Sequence, residues 1–230
     1  MKKIYILLLF FFVSINLYSQ PIINGDLSDA QYITLATKLN SNAGFGTAID
    51  VSKIVYYADV TNSMLYLGVV GKLNVSTDDG IGVWLNVTGT GSPTGAAAGT
   101  ALSVSKGGHY IGGHFGAVPN YKADFEVDYQ FAFNPGKTTT NVYWNAAKMV
   151  GTPAANYQGS SDQSGTATTN SSANGTVFTQ NSITWAFNNG GGANQGLEMK
   201  IPFSEIGATS SMNIEVFVFV VNSSAYFSDV

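Results

Sequence analysis

The chain contains no cysteine, which excludes a disulfide framework and a lipid anchor on an amino-terminal thiol. Charge is scarce too: charged residues make up 10% of the 230, and the formal net charge is −4. Phosphate binding needs clustered basic side chains, so this balance disfavours a nucleic-acid partner. Helical periodicity is almost absent. Past residue 19, no apolar run reaches the roughly 20 residues that a spanning helix needs. There is no phosphate loop of the form G-x-x-x-x-G-K-[ST] and no G-x-S-x-G elbow. Residues 103–106 read S-x-x-K, but a strand running into Gly107-Gly108 is the wrong context for that catalytic motif.

Two lysines, Lys2 and Lys3, precede an apolar run at 4–13 and a small-residue exit at Ser19. This is the three-part pattern of a signal peptide, so residues 1–19 read as an export leader and the mature protein as secreted or held at the outer cell surface. Loss of the two lysines takes the net charge to −6. The surface positions are then filled by Asn, Ser, Thr and Gly, a neutral polar surface suited to uncharged polyols. About 210 residues suffice for one sandwich or barrel held by its core alone. Residues 20–230 read as a single domain, and the end shortly after a strongly apolar strand suggests carboxy-terminal truncation.

Period-two alternation recurs between Gly- and Asn-rich breaks, which predicts an all-β fold, a two-sheet antiparallel sandwich. Segments 53–60 and 64–73 flank Thr61-Asn62-Ser63 as a hairpin. Segment 81–87 is the next strand, followed by a small-residue loop at 89–100, and 101–115 reads as two shorter strands around Gly107-Gly108. In 123–133, Phe125, Val127, Tyr129, Phe131 and Phe133 share one face, and Asp124, Glu126, Asp128 and Gln130 the other. Segment 141–149 is a further strand. Segment 151–181 is dominated by Ser, Thr, Asn, Gly and Ala and reads as a long loop within the domain. Strands resume at 182–187 and 197–201, then Ser204-Glu205-Ile206-Gly207 forms one helical turn with a glycine cap. Segment 213–222 is continuously apolar from Ile214 to Val221, the pattern of a central strand buried on both faces.

Three segments carry a family resemblance: IINGDLSDAQY at 22–32, KIVYYADVTNSMLYLGVVG at 53–71 and GLEMKIPFSEIG at 196–207. They resemble, in this order, motifs of the DOMON-like sandwiches that include the family 9 carbohydrate-binding modules. The first resembles the opening I-D-G-x-L-D-D-A-x-W, with departures at Asn24, Ser28 and Tyr32. The third resembles E-x-x-I-P-x-S-x-L through Glu198, Ile201, Pro202, Ser204 and Ile206. The resemblance implies a β-sandwich, a polysaccharide or glycan partner and calcium as a possible ion. Relatives elsewhere in the superfamily bind haem, which needs axial ligands such as Met and His; Met64, Met149, His109 and His114 are present, but each reads more simply as core or loop.

Sugar binding by a sandwich rests on an exposed aromatic face with amide or carboxylate partners for the hydroxyls. In 81–87 the alternation puts Trp84 with Gly82 and Asn86, opposite Ile81, Val83, Leu85 and Val87, so Trp84 and Asn86 are ligand candidates. Tyr143 and Trp144, near Asn141 and Asn145, form a second candidate pair. Trp185 shares parity with Ile183 and Phe187 and belongs to the core. Asp124, Glu126 and Asp128 would project three carboxylates from one face, fit for calcium or for the acid and base of a glycosidase, although a solvated strand face gives the same pattern. Asp78 and Asp79 form another candidate cation loop. His109 and His114 are the only histidines, too few for an ordinary zinc site.

Overall fold

The computed structural model describes residues 19–38, 45–102, 122–171, 176–222 and 227–229. Residues 1–18 of the segment read as an export leader, most of 101–115 and both histidines lie outside the described residues. Among the described residues, twelve strands run in chain order: β1 (Ile33–Thr37), β2 (Asp50–Asp59), β3 (Met64–Lys72), β4 (Gly80–Thr88), β5 (Tyr129–Asn134), β6 (Asn141–Lys148), β7 (Ala154–Asp162), β8 (Thr168–Thr169), β9 (Thr184–Phe187), β10 (Gly196–Pro202), β11 (Asn213–Val221) and β12 (Phe227–Asp229). They form two antiparallel sheets of six strands, ordered β1-β2-β3-β10-β9-β8 and β12-β11-β4-β5-β6-β7. This is the all-β sandwich that the alternation predicts. Among the described residues, no helix is long and apolar enough to cross a membrane.

The core between the sheets is built from alternate residues of each strand. Leu65, Leu67 and Val69 of β3 face it from the first sheet, with Leu197, Met199 and Ile201 of β10. Val83, Leu85, Phe131 and Phe133 face it from the second. An aromatic cluster joins the two. Trp144 lies 5.6 Å from Trp185, edge to face, and 5.7 Å from Phe133, stacked. Such offset and perpendicular pairs are the favoured aromatic geometries. Phe178, from the connection before β9, stacks on Tyr129 at 5.7 Å. Trp185 is core, as its parity requires.

The β2–β3 hairpin stands where expected. Asp59 accepts a hydrogen bond from the Asn62 N–H (3.0 Å), and Ser63 takes the left-handed conformation that closes the turn. The expected helical turn is a 3-10 turn at Phe203–Ile206, capped by Gly207 at φ 64°.

Four expectations are corrected. Segment 151–181 is not one loop, because it holds the nine-residue strand β7 and the short β8. The ladder to β6 supplies what its composition lacks in apolar content. Strand β5 begins only at Tyr129: Phe125 and Val127 belong to an outer apolar layer, whereas Tyr129 faces the core. The 123–133 alternation is thus broken at Asp128. Strand β11 is buried on both faces only from Val218 onward; its first half is partly exposed and, among the described residues, pairs with a strand on one side only. Finally, β1 was not foreseen, and it is exposed along its whole length.

Candidate functional site

The outward face of the second sheet carries most of the expected ligand residues, and it divides into two halves. The first half is closed. Trp84 is on this face, as alternation requires, but it is only 4% exposed. Its ring lies 4.8 Å from Phe219 and 5.7 Å from Phe217. The connection between β4 and β5 adds Leu102, Ala123 and Val127 to the same apolar layer. Trp84 is therefore corrected from a surface platform to part of a second core. Asn86 is buried beside it and donates through Nδ2 to Glu215 Oε2 (2.8 Å). Trp144 points the other way, into the main core with Val142 and Ala146, and is fully buried.

The second half is open. Tyr143 stands on the outward side of β6, half-buried, and Tyr157 of β7 stands beside it with ring centroids 6.4 Å apart. Tyr157 is 48% exposed. A register shift between Trp144 and Asn145 brings this about: Trp144 pairs with Gly159, whereas Asn145 pairs with Tyr157. Without that bulge, Tyr157 would sit opposite Ala146 and point into the core. Residues that pair directly share a face, so Asn141, Tyr143 and Asn145 of β6 line up with Asp162, Ser160 and Tyr157 of β7.

The Tyr143 ring is seated on Gly136, whose φ is 59°; a Cβ there would come within 2.5 Å of Tyr143 Cε2. Asn134 pairs with Tyr143 from the neighbouring strand and donates through Nδ2 to Asp78 Oδ1 (2.9 Å). The open half thus presents two phenol rings bordered by amides, a hydroxyl and a carboxylate. Such a surface can stack on the apolar face of a pyranose and exchange hydrogen bonds with its hydroxyls.

The carboxylates expected to act together have different surroundings. Asp124 is exposed, and Glu126 Oε1 accepts a hydrogen bond from the Gly95 N–H (2.8 Å). Asp128 is fully buried; its Oδ2 accepts from the Val87 N–H (2.8 Å), and its Oδ1 has no hydrogen-bond partner among the described residues. Burial pushes the Asp128 carboxyl up to about 6, against the pull of the Val87 bond. A group so enclosed cannot reach a glycosidic bond in this conformation. Asp79 accepts from Thr77 Oγ1 (2.7 Å), while Asp78 is engaged by Asn134. Among the described residues, no group of three or more acidic or histidine side chains is placed to hold a metal ion. The expected calcium set of Asp124, Glu126 and Asp128 is therefore not assembled among the described residues.

Of the expected ligand set, only Tyr143 reaches the surface. Its partner Tyr157 was missed, because the surrounding polar sequence reads as loop and one tyrosine there was the sole signal. No family model matches the chain, and neither a curated protein nor a solved structure does.

Proposed function

We propose that this chain is an exported, non-catalytic β-sandwich module that binds carbohydrate on the open half of the second sheet, with Tyr143 and Tyr157 as the stacking platform. The observation that carries the reading is the pairing of these two rings on one outward face, with Asn141, Asn145 and Ser160 at adjacent positions. The neutral polar composition and the resemblance of 22–32, 53–71 and 196–207 to DOMON-like carbohydrate-binding modules support it. The leader pattern supports export. A structural or adhesive surface module that displays loops such as 151–181 is the alternative, and it is weaker because that segment contains β7.

A broad glycan array tests the reading, with the wild-type chain beside Tyr157→Ala and Tyr143→Ala. Retention of a glycan by the wild type and loss of about tenfold in affinity in each variant, some 1.4 kcal/mol, is the expected result. Absence of any retained glycan overturns it.

A further inference from the structure

Tyr143 and Tyr157 lie on a diagonal across the β6–β7 ladder, since Tyr143 pairs with Ser160 and Asn145 pairs with Tyr157. Each ring thus has a polar side chain directly across from it. Among the described residues, neither the Ser160 nor the Asn145 side chain makes a hydrogen bond. The ring centroids are 6.4 Å apart, and the ring planes are turned by 44° from one another. The backbone under both rings is held. Tyr143 is seated on Gly136, and Tyr157 precedes the bulge at Gln158-Gly159, where the Gly159 φ is 124° and a Cβ would come within 2.7 Å of Ser171 Oγ. Ser171 donates its N–H to the Gln158 carbonyl (2.7 Å), which ties the bulged part of β7 to the chain beyond β8. Such a platform is arranged before any ligand arrives, which lowers the ordering cost of binding.

We infer that this face takes two adjacent sugar units of one polysaccharide chain, one unit on each ring, and that the chain is one whose successive sugars are turned relative to each other, as in a soluble xylan or β-1,3-glucan. The inference rests on carbohydrate binding at this face. An aromatic ring stacks on a pyranose when the two planes are parallel. Two rings at 44° therefore accept two sugars whose mean planes differ by a similar angle. The 6.4 Å separation is comparable to the length of one sugar unit, so the two sugars are neighbours in a chain. In a flat ribbon, as on the faces of crystalline cellulose or chitin, successive sugars lie in one plane. Such a surface meets one tyrosine face-on and only the edge of the other. A chain that turns at each linkage presents a face to both, and Ser160 and Asn145 then stand beside the hydroxyl rim of one stacked sugar each.

The probes are xylo- and laminari-oligosaccharides, from the monosaccharide to the hexasaccharide, titrated calorimetrically into the full chain, together with microcrystalline cellulose and chitin in depletion assays. The disaccharide of at least one series should bind about tenfold more tightly than its monosaccharide, the effect of one further stacked ring. Tyr157→Ala should abolish that gain and leave the urea midpoint unchanged, because the side chain is exposed. Neither solid should deplete the protein. Depletion by either solid, a monosaccharide bound as tightly as its hexasaccharide, or a gain that survives Tyr157→Ala overturns the inference while carbohydrate binding stands. Silence of both series at millimolar sugar overturns it as well, and the glycan array then tells whether carbohydrate binding falls with it.

Discussion

Glu198 and Gly25, 173 positions apart in the chain, are joined by a 2.8 Å hydrogen bond in which the Gly25 N–H donates to Oε2. The same oxygen accepts from the Asn24 N–H at 2.8 Å, and Oε1 accepts from the Tyr32 hydroxyl. A fully buried carboxylate on β10 therefore pins the segment that enters the sandwich, and Leu27 of that segment packs with Val55 and Val70 on the outer face of the first sheet. Gly25 has φ 70°, and a Cβ on it would come within 2.6 Å of the Asn188 nitrogen. The first and third motif segments thus meet in space through one side chain.

Glu198→Ala strands the buried Gly25 N–H together with two part-buried donors and should cost about 1–3 kcal/mol of stability, the range for one buried group left unpaired. Glu198→Gln keeps an acceptor for the two backbone N–H groups and an amide donor for the Tyr32 oxygen, so it should cost less. Urea midpoints of the two variants check the order; equal losses would count against the latch.

Asp128 sets a pH dependence. Its folded carboxyl is raised to about 6 from 3.8, so the folded state holds the proton more tightly than the unfolded chain does. That contribution is complete below pH 3.8 and is lost as pH rises toward 6, about 3 kcal/mol over the window. Burial raises Glu198 as well, against the bonds from Tyr32, Asn24 and Gly25, and so adds with the same sign. Asp59 and Asp162 act oppositely: burial raises each, but bonds from Asn62 and Gln20 to the one, and from Thr166 and Ser164 to the other, outweigh it. Their contribution falls on acidification. Asp128→Asn should flatten the slope between pH 4 and 6 in urea titrations; an unchanged slope would remove Asp128 as its source.

Trp84→Ala should behave as a core truncation, costing about 3–5 kcal/mol, because the indole fills the layer shared with Phe217 and Phe219. Glycan retention by the folded fraction should not change. A stable variant that loses glycan retention would restore Trp84 as a ligand residue.

Gly136→Ala acts on the site through position. The new Cβ meets the Tyr143 ring, and φ 59° disfavours any residue other than glycine. A shift in tyrosine fluorescence together with weakened glycan retention is expected; retention equal to wild type would show that the seat of Tyr143 is irrelevant to binding.

Much of the sandwich was legible because successive strand residues point to opposite faces and write a period of two into the sequence, as in 53–60 and 81–87. Strand β7 was not legible. It borrows its stability from the β6 ladder, so Ala154–Asp162 needs few large apolar groups of its own. Strand β11 was misread in the other direction, since Ile214 and Val216 look central but are only partly buried. Sequence separates the two sides of a strand without reporting how many neighbours the strand has.

The amino-acid order by itself determined the all-β class, the hairpin turn, the glycine-capped helical turn and the parity of 81–87 and 182–187, because these depend on contacts between near neighbours along the chain. Tertiary structure alone decided that the Trp84 face is a second core and that Trp144 points inward. It also decided that a bulge turns Tyr157 outward beside Tyr143 and that the first half of β11 is only partly buried. Each of these depends on what a distant segment places over a face or beside a strand, and period-two alternation carries no record of that.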